Sequence, residues 1–290
     1  MSRTLIVTAD DVGLHRGMTL GALAAHERGV VTACSVVASG PDFDDAAALL
    51  RRTPTLAVGA HLTLVGTRPL ADPARIPSLL GPDGSLLAGF PAFMRRYVVG
   101  GVRLAEVELE LRSQLEAITA AGLEVTYLNS HQHLHALPGI FAIVCALAEE
   151  IGARHVRLPL DRGPRPRRLG RVVAMAGLGA LGRLARRRRA RDAGVTIDNG
   201  TIGIAAAGHL SLDLALALLP HVSGVTELVC HPGLDQLELA SEFAWGYEWE
   251  RELHTLTDPR LRRAITEAGI ALASFREKQR IPLSVIQVTW

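Results

Sequence analysis

The chain has 290 residues, of which 48% are hydrophobic and only 4% aromatic, and its formal net charge is +2. This length is sufficient for one α/β barrel with a large core, and the near balance of charge argues against a general nucleic-acid-binding protein. Cys34, Cys145 and Cys230 form no CxxC pair. They are therefore expected to be small buried side chains rather than a disulfide framework.

The N-terminal residues and the apolar runs bear on cellular location. The opening stretch MSRTLIVTADD reaches two carboxylates before the apolar region of a signal peptide could form. No apolar run in the sequence approaches the ~20 residues that a membrane helix needs. We therefore expect a cytoplasmic protein.

Segments of strand and helix character alternate along the chain. Strands are predicted at 4–9, 32–38, 56–65, 124–130, 154–159 and 225–230, and helices at 17–29, 43–52, 104–122 and 139–152. Asp42 can cap the second helix, and 258–275 is typical of a capped helix followed by a strand. A loop rich in Pro and Gly is predicted from about 66 to 91. This alternation favours a parallel sheet, open or closed.

Four predicted strands end in carboxylate or imidazole groups. These groups are Asp10 with Asp11, then His61, then His131, His133 and His135 in HQHLH, and finally His231 in CHPG. The C-terminal ends of parallel strands form the functional face of α/β folds. The sequence therefore predicts one site assembled from four strand ends.

Imidazole and carboxylate groups are good ligands for divalent metals. One Asp and two His from separate strands can hold an ion and leave positions open for water and substrate, which is typical of a catalytic centre. A second Asp beside the ligand could act as a general base. The alternative is that these histidines cap helices, bond to the backbone or lie exposed.

Several stretches resemble the YdjC-like carbohydrate deacetylases, the chitooligosaccharide deacetylase family. They are LIVTADDVGL, VGAHLTLVGTRPL, LNSHQHLHALPGIF, ELVCHPG and, near the end, LTDPRLRRAITEAGIALASFRE. The resemblance covers nearly the whole chain in order. It departs at Val12, where the family usually has Phe, and this apolar change should alter packing more than chemistry. Residues from about 161 to 210 match poorly.

The resemblance implies a fold, an activity and a set of site residues. The fold is a distorted (β/α) TIM-like barrel forming a single domain over 1–290, with a variable Arg/Gly-rich excursion at about 161–210. The activity is hydrolysis of N-acetyl groups from amino sugars. The implied metal ligands are Asp11, His61 and His131, the candidate base is Asp10 and the candidate acid is His231. The remaining implied residues, which would contact the substrate or position other groups, are His133, His135 and Arg157.

The identity of the metal and the oligomeric state are left open by these residues. Two imidazoles and one carboxylate suit Zn²⁺ better than Mg²⁺, which prefers oxygen ligands. Mg²⁺ is nevertheless the ion associated with the family that the chain resembles. A homodimer would also fit that resemblance.

Two other functional classes compete with this prediction. GLGALG at 177–182 fits the GxGxxG fingerprint, with RVVAMA before it as a possible strand and Asp198 near the expected position of a ribose-binding acid. This would indicate a dinucleotide-binding oxidoreductase. Against it, RLARRRRARDAG offers no apolar face to pack on a sheet.

The run RRRRAR at 186–191 permits a basic binding module for anionic lipids or phosphates, although a solvated Arg face is the usual explanation. The stretch 172–189 is apolar and then cationic, which suits peripheral contact with a membrane that carries a lipid-linked substrate. The family resemblance includes a branch associated with amino-sugar-bearing hopanoid lipids. A soluble chitooligosaccharide-like substrate is the alternative.

Overall fold

A computed structural model of the chain describes residues 3–163, 177, 179, 180, 183, 196, 197 and 200–279. The strands in these residues are β1 (Arg3–Val12), β2 (Ala33–Val36), β3 (Ala57–Leu62), β4 (Val125–Ser130), β5 (His155–Val156), β6 (Thr196–Ile197), β7 (Thr201–Ile202), β8 (Val225–Cys230) and β9 (Ile270–Leu272). The α-helices are α1 (Arg16–Arg28), α2 (Phe43–Arg51), α3 (Phe90–Val98), α4 (Leu104–Ala120), α5 (Ile140–Glu150), α6 (Leu212–Leu218), α7 (Gln236–Glu242), α8 (Trp249–Thr257), α9 (Pro259–Glu267) and α10 (Phe275–Gln279).

The strands form one parallel sheet that curls into a distorted barrel. Their order is β6-β5-β4-β3-β2-β1-β8-β7, and β9 pairs with the first residues of β1. Beyond β5, Asp161 forms a parallel bridge with Thr201 of β7, and the Arg162 N–H donates to the Thr201 carbonyl at 2.8 Å. This bridge joins the two sides of the sheet, which confirms the predicted barrel.

Alternate residues of the strands face the helices and the barrel interior. On β1, Leu5 and Val7 belong to the main core that the helices cover, whereas Ile6 packs inside the barrel with Tyr127 and Phe275. The Tyr127 and Phe275 rings stack with centroids 4.0 Å apart. These apolar side chains pack inside the barrel on the side away from the polar residues near the C-terminal strand ends.

Several element boundaries differ from the predictions. Strand β1 continues to Val12 and contains both aspartates, while β5 is only two residues long. Helix α3 lies partly within the predicted loop, because the Pro and Gly content of 66–91 masks its start at Phe90. Asp42 occupies the N-cap position of helix α2, as predicted, but its carboxylate accepts from the Thr19 hydroxyl at 2.6 Å and makes no capping bond to the helix.

Other predictions about local structure are confirmed. The Asp258 side chain accepts from the Arg260 N–H at 2.8 Å and caps α9. Cys34, Cys145 and Cys230 are buried free thiols. None of the helices in the described ranges has the length and apolarity required to cross a bilayer.

The excursion holds the motifs of the two competing predictions. Positions 177, 179, 180 and 183 are helical, but the rest of GLGALG and the whole of RRRRAR at 186–191 lie outside the described residues, as do RVVAMA and Asp198. The dinucleotide and basic-module hypotheses therefore remain predictions.

Candidate active site and metal centre

Asp11, His61 and His131 meet at the C-terminal edge of the barrel. Their potential ligand atoms all lie within 4.8 Å of one another. The Asp11 Oδ1 atom is 3.1 Å from His61 Nε2 and 3.0 Å from His131 Nδ1. Asp11 and His61 are buried, and His131 is partly exposed, so the cluster is open to solvent on the His131 side.

The donor set fits a divalent metal ion. Ligands that bind one ion at about 2.0–2.2 Å lie about 2.8–3.6 Å from each other, and the two carboxylate–imidazole distances fall in that range. Burial would raise the pKa of Asp11, but His131 and His61 outweigh it and hold this pKa well below its usual value. The carboxylate is therefore ionised at neutral pH, as a ligand must be.

The backbone turns between the adjacent aspartates. Asp11 has φ 65°, in the left-handed region that few residues other than Gly adopt, and the pairing of β1 with β2 shifts register between Ala9 and Val12. Asp10 points into the barrel interior, and the turn directs Asp11 toward the two imidazoles rather than to the opposite face of the strand. The backbone strain thus lies at the site itself.

A polar layer fills the barrel directly behind the cluster. Five strands and the residue that follows β5 contribute buried polar side chains to it: Asp10, Ser35, His61, Asn129, Glu227 and, after β5, Arg157. The His61 Nδ1 atom lies 2.8 Å from Asn129 Oδ1, and the Asn129 amide donates to Asp10 Oδ1 at 3.0 Å. Because Asn129 Oδ1 can only accept, Nδ1 of His61 carries the proton and Nε2 presents a lone pair toward Asp11.

Arg157 bridges two carboxylates inside the barrel. Its guanidinium donates to Asp10 Oδ2 at 2.5 Å and Oδ1 at 2.9 Å, and to Glu227 at 2.7 and 3.0 Å. Burial would raise the pKa of Asp10, but Arg157 and His61 outweigh it and hold the pKa well below the usual range. Arg157 is completely buried. Its contacts fit a role in positioning Asp10 rather than in touching substrate.

The same charges act on His61. Burial lowers its pKa, but the carboxylates of Asp10 and Asp11 outweigh this effect and raise the pKa overall. In the absence of metal, His61 therefore takes up a proton more readily than an ordinary histidine. Metal binding must displace that proton.

The three histidines of HQHLH occupy three different environments. Gln132 and His133 have left-handed φ values of 53° and 56°, which break the short 3-10 helix His131–Ala136. His131 faces Asp11, whereas His135 is buried, with Nε2 donating to the Arg157 carbonyl at 2.8 Å and Nδ1 2.6 Å from the Ser130 hydroxyl. His133 is partly exposed, and its Nδ1 is buried without a partner among the described residues.

His231 lies on the other side of Asp11. Its Nε2 is 4.0 Å from Asp11 Oδ2, and its Nδ1 is buried without a partner in the part of the chain that the structure describes. The buried Glu252 carboxylate accepts from the His231 backbone N–H at 2.5 Å. The imidazole is thus close to the cluster but is not one of the three clustered ligands.

The loop after His231 packs directly on α1, and this contact fixes the position of the loop. A Cβ atom at Gly21 would lie 2.4 Å from Gly233 Cα, and one at Gly17 would lie 2.5 Å from the Leu234 carbonyl oxygen. Only glycine at these helix positions allows such a close approach of the loop.

A protein-family model, described as YdjC-like protein, matches residues 4–267. The chain belongs to the YdjC-like family. The predicted family is therefore confirmed.

Curated relatives of this YdjC-like protein align almost end to end. A carbohydrate deacetylase of Geobacillus stearothermophilus is 33% identical over 96% of this chain and 98% of its own length. A chitooligosaccharide deacetylase of Klebsiella pneumoniae (strain 342) is 32% identical over 96% and 100%, respectively. A solved structure from Enterococcus faecalis V583, named for proposed cellobiose-phosphate cleavage, has 26% identity and a TM-score of 0.77 over 96% of this chain and 99% of that one.

Sequence reasoning missed several residues of this YdjC-like site. Ser35, Asn129 and Glu227 of the polar layer were not predicted, although a charged residue inside the apolar strand VTELVC was a usable signal. Glu252 and the partly exposed Trp245, whose ring centroid is 5.4 Å from that of His131, were also missed. The alternation FAWGYEW at 243–249 was the available signal for Trp245, whereas nothing in the sequence links Glu252 to His231.

Proposed function

We propose that this YdjC-like protein hydrolyses the N-acetyl group of an amino sugar in a metal-dependent reaction and releases acetate. The observation that carries the proposal is the Asp11–His61–His131 cluster at the C-terminal edge of the barrel. Support also comes from the near end-to-end alignment with relatives named carbohydrate and chitooligosaccharide deacetylases.

Asp11, His61 and His131 would hold one divalent ion. Bound there, the ion would supply the Lewis acidity that polarises an amide carbonyl and lowers the pKa of a water molecule. The two imidazoles favour Zn²⁺, and the family resemblance favours Mg²⁺.

Asp10 would accept the proton of the attacking water. It is ionised at neutral pH, and Ser35, Asn129 and Arg157 fix both of its oxygens. Its low pKa makes it a weak base, so it suits a water molecule whose proton is already acidic. Arg157 would act by holding the carboxylate in position.

His231 would donate a proton to the leaving nitrogen. Its position beside Asp11 Oδ2, opposite the two ligand histidines, suits the delivery of a proton to an amide that lies over the cluster. The overall reaction consumes one water, breaks one C–N bond and forms one acetate and one free amine. His133 and His135 would contribute to positioning, His135 through the Arg157 carbonyl.

Acetate release from purified protein tests the proposal. The substrates are N-acetylglucosamine oligomers and an N-acetylglucosaminyl lipid, each after chelation and after re-addition of Zn²⁺ or Mg²⁺. We expect release that depends on added metal, and the preferred substrate separates a soluble oligosaccharide from a lipid-linked sugar. No acetate from either substrate with either ion would contradict the proposal.

Metal content tests the ligand assignment independently of turnover. His131→Ala should abolish stoichiometric metal binding, because it removes one of three ligands. His254→Ala is the matched control, since His254 is exposed on α8 and is not part of the cluster. Equal metal content in His131→Ala and wild type, by elemental analysis, would show that the assignment is wrong.

A further inference from the structure

The segment 243–249 carries four aromatic side chains at alternate positions, in a chain with only 4% aromatic residues. Trp249 is fully buried against α1 and α7 residues, whereas Trp245 and Tyr247 are only partly buried. The ring centroids of Trp245 lie 5.5 Å from Tyr247 and 6.3 Å from Trp249. We call this segment the aromatic arm.

The aromatic arm reaches both sides of the metal-ligand cluster. The Trp245 ring centroid is 5.4 Å from that of His131, and the Tyr247 centroid is 5.2 Å from that of His231. A single short segment therefore places one ring beside a ligand histidine and the next ring beside the candidate proton donor. Trp245 lies on the His131 side of the cluster, where that histidine is partly exposed, and Tyr247 lies on the His231 side.

Packing covers only part of the Trp245 ring, which lies against Phe243 and the small core around Trp249 and is still partly exposed. Gly208 fixes Tyr247, because a Cβ atom there would lie 2.1 Å from the Tyr247 ring. Trp249 has the small core of Leu14, Met18, Val37 and Leu239 around it. Trp245 keeps part of a large apolar ring in contact with water at the opening of a polar site. Such a ring is typical of ligand sites, where flat apolar surface binds one face of a ligand and a few polar groups orient it.

From these contacts we infer that Trp245 is the platform on which the sugar ring of the substrate stacks. The inference rests on the proposed function. A pyranose presents C–H groups on its faces and hydroxyls at its edge, so an aromatic ring can cover one face and leave the hydroxyls hydrated. With the sugar on Trp245, its acetamido group can reach the cluster through the His131 side. Trp245 would then determine affinity for carbohydrate, while the hydrolytic groups remain those already described.

Substitutions at the aromatic arm test the inference. Trp245→Ala should raise KM for the N-acetylglucosamine trimer by about tenfold or more, while kcat stays within about twofold because a uniform binding contact is lost. Trp245→Phe should restore most of the affinity. Phe243→Leu is the matched control, since Phe243 packs behind Trp245 with centroids 4.7 Å apart and does not pair with either imidazole.

Two further measurements separate this inference from the proposed function. The Kd of the trimer for the chelated protein, by calorimetry, needs no turnover and should rise in Trp245→Ala by the same factor as KM. Loss of metal content and of kcat with unchanged Kd would mean that Trp245 only supports His131, which would overturn the platform. Equal Kd in wild type and Trp245→Ala would also overturn it. If the wild type binds the trimer but releases no acetate, the proposed function fails, and the Kd comparison still decides the role of Trp245.

Discussion

Asp10 and Asp11 are adjacent in the chain, but their side chains have different partners. Asp11 faces His61 and His131, while Asp10 accepts hydrogen bonds from Ser35, Asn129 and Arg157. Successive residues of a regular strand point to opposite faces, and the left-handed φ of Asp11 instead brings both carboxylates to the same end of the barrel with different partners. Substitution should therefore affect them in different ways.

Asp11→Asn should lose the metal, because it removes one of the three ligands. Asp10→Asn should lose turnover by ~10²-fold or more if Asp10 is the proton acceptor. It should also lower the free energy of unfolding by roughly 3–5 kcal/mol, because it breaks a buried ion pair. Metal content, kcat and denaturant unfolding of both variants check these expectations.

Glu227→Gln is the matched control for Asp10→Asn. It breaks the other half of the buried Arg157 ion pair and should cost similar stability, but it leaves the Asp10 carboxylate in place. Turnover should therefore survive in Glu227→Gln. If both variants lose turnover to the same extent, the function of Asp10 is to hold Arg157 and not to accept a proton.

At the scale of secondary-structure elements, the sequence predicted most strands and helices but not their pairing. The strand-end argument led to Asp11, His61 and His131, whose ligand atoms the structure brings together. The polar layer was harder to find, since Ser35 and Glu227 lie within strands, and their shared interior depends on sheet register. Register follows from long-range packing, which local hydrophobic patterns do not encode.

The contact between α1 and the His231 loop has the same long-range origin. Gly21→Ala should lower kcat while metal content is kept, because the added methyl group would displace Gly233 and, with it, His231. Helix propensity alone would make Gly21→Ala more stable by about 1 kcal/mol. The steric contact with Gly233 opposes that gain, and we expect it to outweigh the propensity. The measurements are kcat, metal content and thermal unfolding.

Ala24→Gly on the same helix is the control for Gly21→Ala. Ala24 is partly buried and packs against the main core. It should lose about 1 kcal/mol of stability through helix propensity and keep full kcat. Unchanged kcat in Gly21→Ala would mean that the loop adjusts without moving His231.

At the scale of the whole molecule, the buried polar interior links stability to pH. Burial lowers the pKa of His135 to about 4 from 6.5, and Asp10 also has a lowered pKa because Arg157 outweighs its burial. His135 is neutral in the folded protein from about pH 4 upward, whereas in the unfolded chain it is protonated below about pH 6.5. Between these values, the unfolded chain binds the additional proton.

The free energy of unfolding of the chelated protein should therefore fall as the pH is lowered from 6.5 to 4, by about 3 kcal/mol from His135 alone. Asp10 extends this loss of unfolding free energy to lower pH. Its carboxylate takes up a proton near the usual pKa of Asp in the unfolded chain, but stays ionised at that pH in the folded protein. His135→Gln retains a donor for the Arg157 carbonyl but cannot titrate. It should be less stable than wild type at pH 7, yet its stability should depend less steeply on pH. Urea unfolding across this range measures both slopes, and parallel slopes would mean that His135 is not kept neutral by its burial.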